Sequence, residues 1–203
     1  TLDQSLVAAT DLEPDELVRL LGAGLAGVDD GELFLEYRET ESLAFDDGRL
    51  KSASFDASRG FGLRAVAGEA IGYAHSPDLS ESALRRAIDA VQPVKRGYAG
   101  TLALPPQGTN RKRYAEDNPI QARDQAIKIG VLEQIDGYAR AKEPRVTQVS
   151  ATLSGSWQRV EIVRPDGARR IDVRPLVRLN VAVVVGDGQR MESGSFGAGG
   201  RTG

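Results

Sequence analysis

The chain has 203 residues, 40% apolar and 27% charged, with a formal charge of −3 at pH 7. That length allows one large domain or two small ones with a real core, and the acidic balance argues against a nucleic-acid footprint over the whole domain. No apolar run approaches the roughly 20 residues of a membrane span, no signal-peptide pattern is present, and the absence of cysteine removes disulfides and thiolate metal sites and fits a cytoplasmic protein.

Residues 3–9 read as a short helical turn. Pro14, at a first helical position, and Asp15 and Glu16, at the positive end of a helix dipole, open a helix over 14–26. Leu17, Leu20, Leu21 and Leu25 share one face, and Gly22, Gly24 and Gly27 leave room for close packing on a sheet. Residues 33–75 then read as a meander of four or five short antiparallel strands. Leu33, Leu35 and Tyr37, then Leu43 and Phe45, then Phe61, Leu63 and Ala65 alternate with their neighbours, as strands with one buried face do. Asp47-Gly48 is a hairpin signal, because tight primed turns need positive φ. Ala67-Gly68-Glu69 reads as a second reversal.

Ser80 is placed to cap a helix over 81–91, whose Leu84, Ala87, Ile88 and Val91 fall at helical spacing, and Pro93 ends it. Residues 95–117 show no sustained period and read as a long surface connection. Asn118-Pro119 predicts the start of a long amphipathic helix to about residue 141, with Ile120, Ile127, Val131, Leu132, Ile135 and Ala139 on its apolar face. The last third is β again. It reads as strands through Val146–Leu153, Val160 and Ile162, a turn at Pro165-Asp166-Gly167, a return through Ile171 and Val173, and an apolar strand Leu176–Val185. A helix precedes each β region, and Asp47-Gly48 and Arg59 recur 119 residues later as Asp166-Gly167 and Arg178. The expected class is α+β, an antiparallel sheet meander with amphipathic helices packed on one side, with an internal duplication left open.

Chemistry is sparse. His75 is the only histidine. With Asp78 nearby it falls short of the three ligands a zinc hydrolase needs, and it would have to serve alone as the base of any Ser-His-Asp triad. Asp46 and Asp47 form an acidic pair, but in a turn where Asp is expected for conformational reasons. Arg111-Lys112-Arg113 reads as solvated loop charge rather than an anion contact. Arg64, Arg174 and Arg178 interrupt apolar strands, which offers carboxylate binders or, more simply, the wet face of a half-exposed sheet. Trp157 reads as packing. The segment 194–203, GSFGAGGRTG, lacks the Gly-Lys-Ser/Thr and following helix of a phosphate loop and reads as a flexible tail or linker.

Taken together, ESLAFDDGRLKSASFDASRGFGLRAVAGEAIGYAHSPDLS, the run Asp172–Leu179 and the glycine-rich Gly194–Gly203 resemble the TldD/PmbA (TldD/TldE) family. Its marks are the Glu-Ser pair, the acidic turn, Gly60-Phe61-Gly62-Leu63-Arg64 and Gly72-Tyr73-Ala74. The resemblance implies the N-terminal region of a TldD-like zinc metallopeptidase. Residues 1–193 would be an α+β N-terminal domain, with sub-halves 1–93 and 118–193 about the loop 95–117. Residues 194–203 would link it to a C-terminal catalytic domain. The family's His-Glu-x-x-x-His helix lies beyond the glycine-rich segment, so zinc is expected in the full-length family member, and no catalytic or metal-binding residue is assigned in this chain. The resemblance further implies a cytoplasmic homodimer, or a heterodimer with a PmbA/TldE-like subunit, that degrades or processes peptides and unfolded proteins. This chain would contribute to dimerisation and to the wall of a substrate chamber. The family also carries an older label, modulator of DNA gyrase, but neither a nucleic-acid nor a membrane partner is expected. The alternative reading is a stand-alone protein-binding or assembly module without peptidase activity.

Overall fold

The computed structural model describes residues 5–104 and 113–201. A short 3-10 turn, Leu6–Ala9, precedes α1 (Pro14–Gly24). Pro14 opens α1, and the Glu13 and Glu16 side chains reciprocally cap its first turn. Leu17, Leu21 and Leu25 are buried on one side. Gly24 serves helix–helix packing rather than packing on the sheet: a Cβ there would lie 2.6 Å from Ile88 of α2.

Three strands follow rather than four or five: β1 (Asp30–Asp46), β2 (Arg49–Ala67) and β3 (Ala70–Ser76). The polar run from Arg38 to Ser42 does not break β1. The inward parity set by Leu33 and Leu35 continues through Glu39 to Leu43 and Phe45, and Glu39 is itself buried. Its carboxylate accepts from Asn118 Nδ2 at 2.7 Å and from Gln121 Nε2 at 3.1 Å, so the inward charge is satisfied. Asp47 and Gly48 take φ of 54° and 73°, the left-handed pair of a type I′ hairpin. Gly48→Ala is expected to cost about 1 kcal/mol, because a Cβ disfavours this φ. Thermal denaturation of the single variant checks it.

Helix α2 (Glu81–Val91) has the expected bounds and starts where Ser80 Oγ accepts from Ala83 N. Helix α3 (Gln125–Lys142) starts later than Asn118-Pro119 promises. Asn118 caps a turn instead: its Oδ1 accepts from Ile120 N at 3.0 Å, and its carbonyl from Ala122 N at 3.0 Å. Asn-Pro marks a turn and a helix start equally well. The apolar face expected of this helix is also rotated. Its buried residues are Lys128, Leu132 and Asp136, while Ile127 and Val131 are about half exposed.

Strand β4 (Val146–Val163) runs straight through Gly155, and β5 (Arg169–Gly186) returns after the turn at Gly167, φ 83°. The glycine-rich stretch is not a structureless linker as far as Gly200. Met191–Gly200 forms β6, paired antiparallel with β5 from Gly186↔Met191 to Val177↔Gly200. Its small residues admit close neighbours, since a Cβ on Gly197 would lie 2.8 Å from Asn180 Oδ1.

The six strands form one antiparallel sheet in the order β3-β2-β1-β4-β5-β6. The order is symmetric about β1 and β4, and Asp47-Gly48 and Asp166-Gly167 occupy equivalent hairpins, the topology a duplication would produce. The chain groups into two compact units that do not coincide with 1–93 and 118–193. The first takes the described residues within Thr1–Tyr37, Ser58–Arg113 and Arg159–Asp172, and the second those within Arg38–Ala57, Tyr114–Gln158 and Val173–Gly203. In the first, α1 and α2 cover a core that includes Leu33, Leu35 and Leu63. In the second, Leu132 of α3 packs with Leu43, Phe45 and Ala151.

Candidate functional site

In the second unit, the rotation of α3 has a direct result. With Lys128 and Asp136 turned inward, Ile127 and Val131 are left to line a cleft of about 580 Å³. Ile120, Leu153 and Val177, with Pro119 and Ala122, complete its apolar wall. Gly155 keeps β4 close to the 118–123 turn, since a Cβ there would sit 3.0 Å from Ile120 Cγ1. At the base of the cleft, Lys128 Nζ donates to Glu41 Oε2 at 2.6 Å and to the Ile120 carbonyl at 2.5 Å. Arg123 also lines the cleft. It has no hydrogen-bond or ion-pair partner among the described residues. The cleft is therefore mostly apolar, with one neutralised ion pair and one further cation.

The residues singled out from sequence are scattered. Asp46 accepts from Gln148 Nε2 at 2.9 Å and from Ser150 Oγ at 2.6 Å, bonds that hold its carboxyl below the usual range. Asp47 pairs with Arg140 of α3. Both side chains are held at the hairpin by these partners. In the first unit His75 is exposed on β3, its ring centroid 5.9 Å from that of Tyr73. Asp78 accepts from the backbone and side chain of Ser80, which hold its carboxyl below the usual range beside the start of α2.

Arg64 of β2 pairs with both Asp30 and Glu32 of β1. Burial works against the charge on Asp30, but hydrogen bonds from Arg164, at 2.7 Å, and from Arg64 outweigh it and hold the carboxyl below the usual range. Arg178 is exposed and donates to Asn180 Oδ1 at 3.0 Å, and Arg174 is half-buried and engaged. Trp157 is buried and donates to the Glu116 carbonyl at 3.1 Å. Arg113 is exposed, whereas Arg111 and Lys112 lie outside the described residues, as do Thr202 and Gly203.

Sequence reasoning missed Glu39, Glu41 and Lys128. The signal was present: Glu39 and Glu41 fall in phase with Leu35 and Leu43 on β1, and Lys128 lies one turn from Leu132 on α3. Among the described residues, no three His, Cys, Asp or Glu side chains are grouped to hold a metal ion. These residues do not fit a catalytic zinc.

The fold defines a class: an α+β module on a six-stranded antiparallel sheet. The comparisons narrow it. Residues 31–93 match the PmbA/TldA metallopeptidase domain 1, and residues 118–203 match the PmbA/TldA metallopeptidase central domain. The metalloprotease TldD homolog of Haemophilus influenzae is 37% identical over 180 residues, 87% of this chain and 37% of that protein. Its counterpart in Buchnera aphidicola subsp. Schizaphis graminum is 30% identical over 177 residues, 86% of this chain and 36% of that protein. The crystal structure of TldE from Thermococcus kodakarensis shares the fold, with a TM-score of 0.70 at 14% identity over 93% of this chain and 43% of that one. The chain belongs to the PmbA/TldD metallopeptidase family. It spans little more than a third of the length of the curated relatives it matches.

Proposed function

We propose that this chain is the non-catalytic N-terminal part of a cytoplasmic zinc metallopeptidase, and that it holds the main chain of an extended peptide or unfolded protein. The working enzyme would be a homodimer, or a heterodimer with a PmbA/TldE-like subunit, with zinc and the hydrolytic residues supplied outside the residues described here. The family and the metalloprotease names of its relatives support the activity.

The observation that carries the peptide-holding role is β6. It is the last strand of the sheet, all ten of its residues are exposed, and no described strand lies on its far side. Such an edge presents a row of free N–H and C=O groups that pair with an extended chain of any sequence. Exposed Phe196 and Met191 add apolar contact along the same strand.

The expected result is that an unstructured peptide binds the full-length protein, and that N-methylating alternate peptide amides weakens binding at least about tenfold, since each methyl removes a donor. Fluorescence anisotropy reads it. Unchanged affinity for the N-methylated peptide would defeat edge pairing. A full-length protein that holds no zinc and cleaves no peptide would defeat the peptidase reading and leave a binding module.

A further inference from the structure

The cleft beneath α3 combines three features that edge pairing does not use. Its walls are aliphatic, its volume of about 580 Å³ falls within the size of small-ligand sites, and its cations outnumber its anions. Glu41 faces the cleft, but its charge is met by Lys128 at 2.6 Å. Arg123 has no such counter-charge among the described residues. Lys128, 8% exposed, spends two of its three N–H donors on Glu41 and the Ile120 carbonyl and has one more to give. Ile127 and Val131 remain 53% and 42% exposed beside these cations.

We infer that this cleft is a binding site for an aliphatic carboxylate, and that the C-terminal residue of a peptide is its ligand. The carboxylate lies on the Arg123 guanidinium, whose planar fork matches two oxygens, and the third Lys128 donor is within the same polar corner. The aliphatic side chain rests on Ile127, Val131 and Leu153. Charge complementarity selects the anion: an amide offers Arg123 one neutral carbonyl oxygen in place of a charged, two-oxygen acceptor, and an amine is repelled. This site recognises a chain end, whereas the β6 edge recognises main chain anywhere along a peptide. The inference stands apart from the peptidase reading, because binding is read without cleavage or metal.

The test is titration calorimetry on the 203-residue chain with acetyl-Ala-Ala-Leu as the free acid and as the C-terminal amide. Methyl NMR shifts of Ile127 and Val131 locate the site. The acid is expected to bind at least about tenfold tighter than the amide, the size of a charge-assisted pair. Arg123→Gln, at an exposed position, is expected to erase that difference and leave the fold intact. Val131→Lys, which fills the cleft, is expected to abolish binding of both. Octanoate binding at the same methyls with equal affinity would confirm the carboxylate and overturn the peptide as its source. Equal affinity for acid and amide, or an acid preference that survives Arg123→Gln, would overturn the site.

Discussion

Glu161→Ala is expected to destabilise the first unit by about 3 kcal/mol, because removing one member of a buried ion pair strands its partners. For a chain of this size that corresponds to roughly 6–12 °C in Tm. Glu161 is fully buried. Its carboxylate accepts from Ser5 Oγ at 2.9 Å, Leu6 N at 2.7 Å and Arg169 Nε at 2.8 Å. It therefore ties the turn Leu6–Ala9, which carries buried Val7, to β4 and β5. Alanine leaves the Leu6 N–H without its acceptor and Arg169 without its counter-ion. Glu161→Gln keeps the shape and one acceptor oxygen, so it is expected to lie between the parent and the alanine variant. Urea denaturation gives the order. Limited proteolysis near Leu6 gives the mechanism, since cutting there should rise in step with the loss of stability. An alanine variant that melts with the parent would show that the network forms without holding the turn.

What could be read in advance divides by the physics that decides it. Local chemistry was legible. Pro14, Ser80, Asp47-Gly48 and Gly167 each act within a few residues, and α1, α2 and both hairpins lie where these residues place them. Choices settled by tertiary partners were not. The polar residues between Tyr37 and Leu43 give no sign of a continuous strand until Asn118 and Gln121 are known to face Glu39. Nothing in its own charge marks Lys128 of α3 as buried; its partner Glu41 lies on β1. With Lys128 and Asp136 inward, Ile127 and Val131 lie not in the expected core but in the lining of a cleft. The glycines of β6 read as slack chain because propensity disfavours them in strands. Ten residues of register with β5 override that preference. The candidate site was hidden for the same reason: its polar corner is the pair Glu41 and Lys128, 87 residues apart in the chain.

Lys128→Met is expected to lower the stability of the second unit by about 3 kcal/mol, and the double variant Glu41→Leu/Lys128→Met to recover most of it. The single change leaves the Glu41 carboxylate, only 15% exposed, without its cation and the Ile120 carbonyl without its donor. The double change removes both charges and fills the space with apolar atoms, which is often neutral or better for a buried pair. Chemical denaturation of the parent and three variants forms the cycle. A double variant as unstable as the single one would mean that packing, not charge, makes position 128 sensitive. Recovery would sharpen the functional question, because an apolar pair would then serve the fold as well as the ionic one. What the ion pair adds is a polar corner in an otherwise aliphatic cleft. In the recovered double variant Arg123 is intact but the third Lys128 donor is gone. A carboxylate ligand is then expected to bind more weakly than in the parent while its amide is unaffected. Such a split between stability and binding would place Lys128 in the cleft for its ligand rather than for the fold.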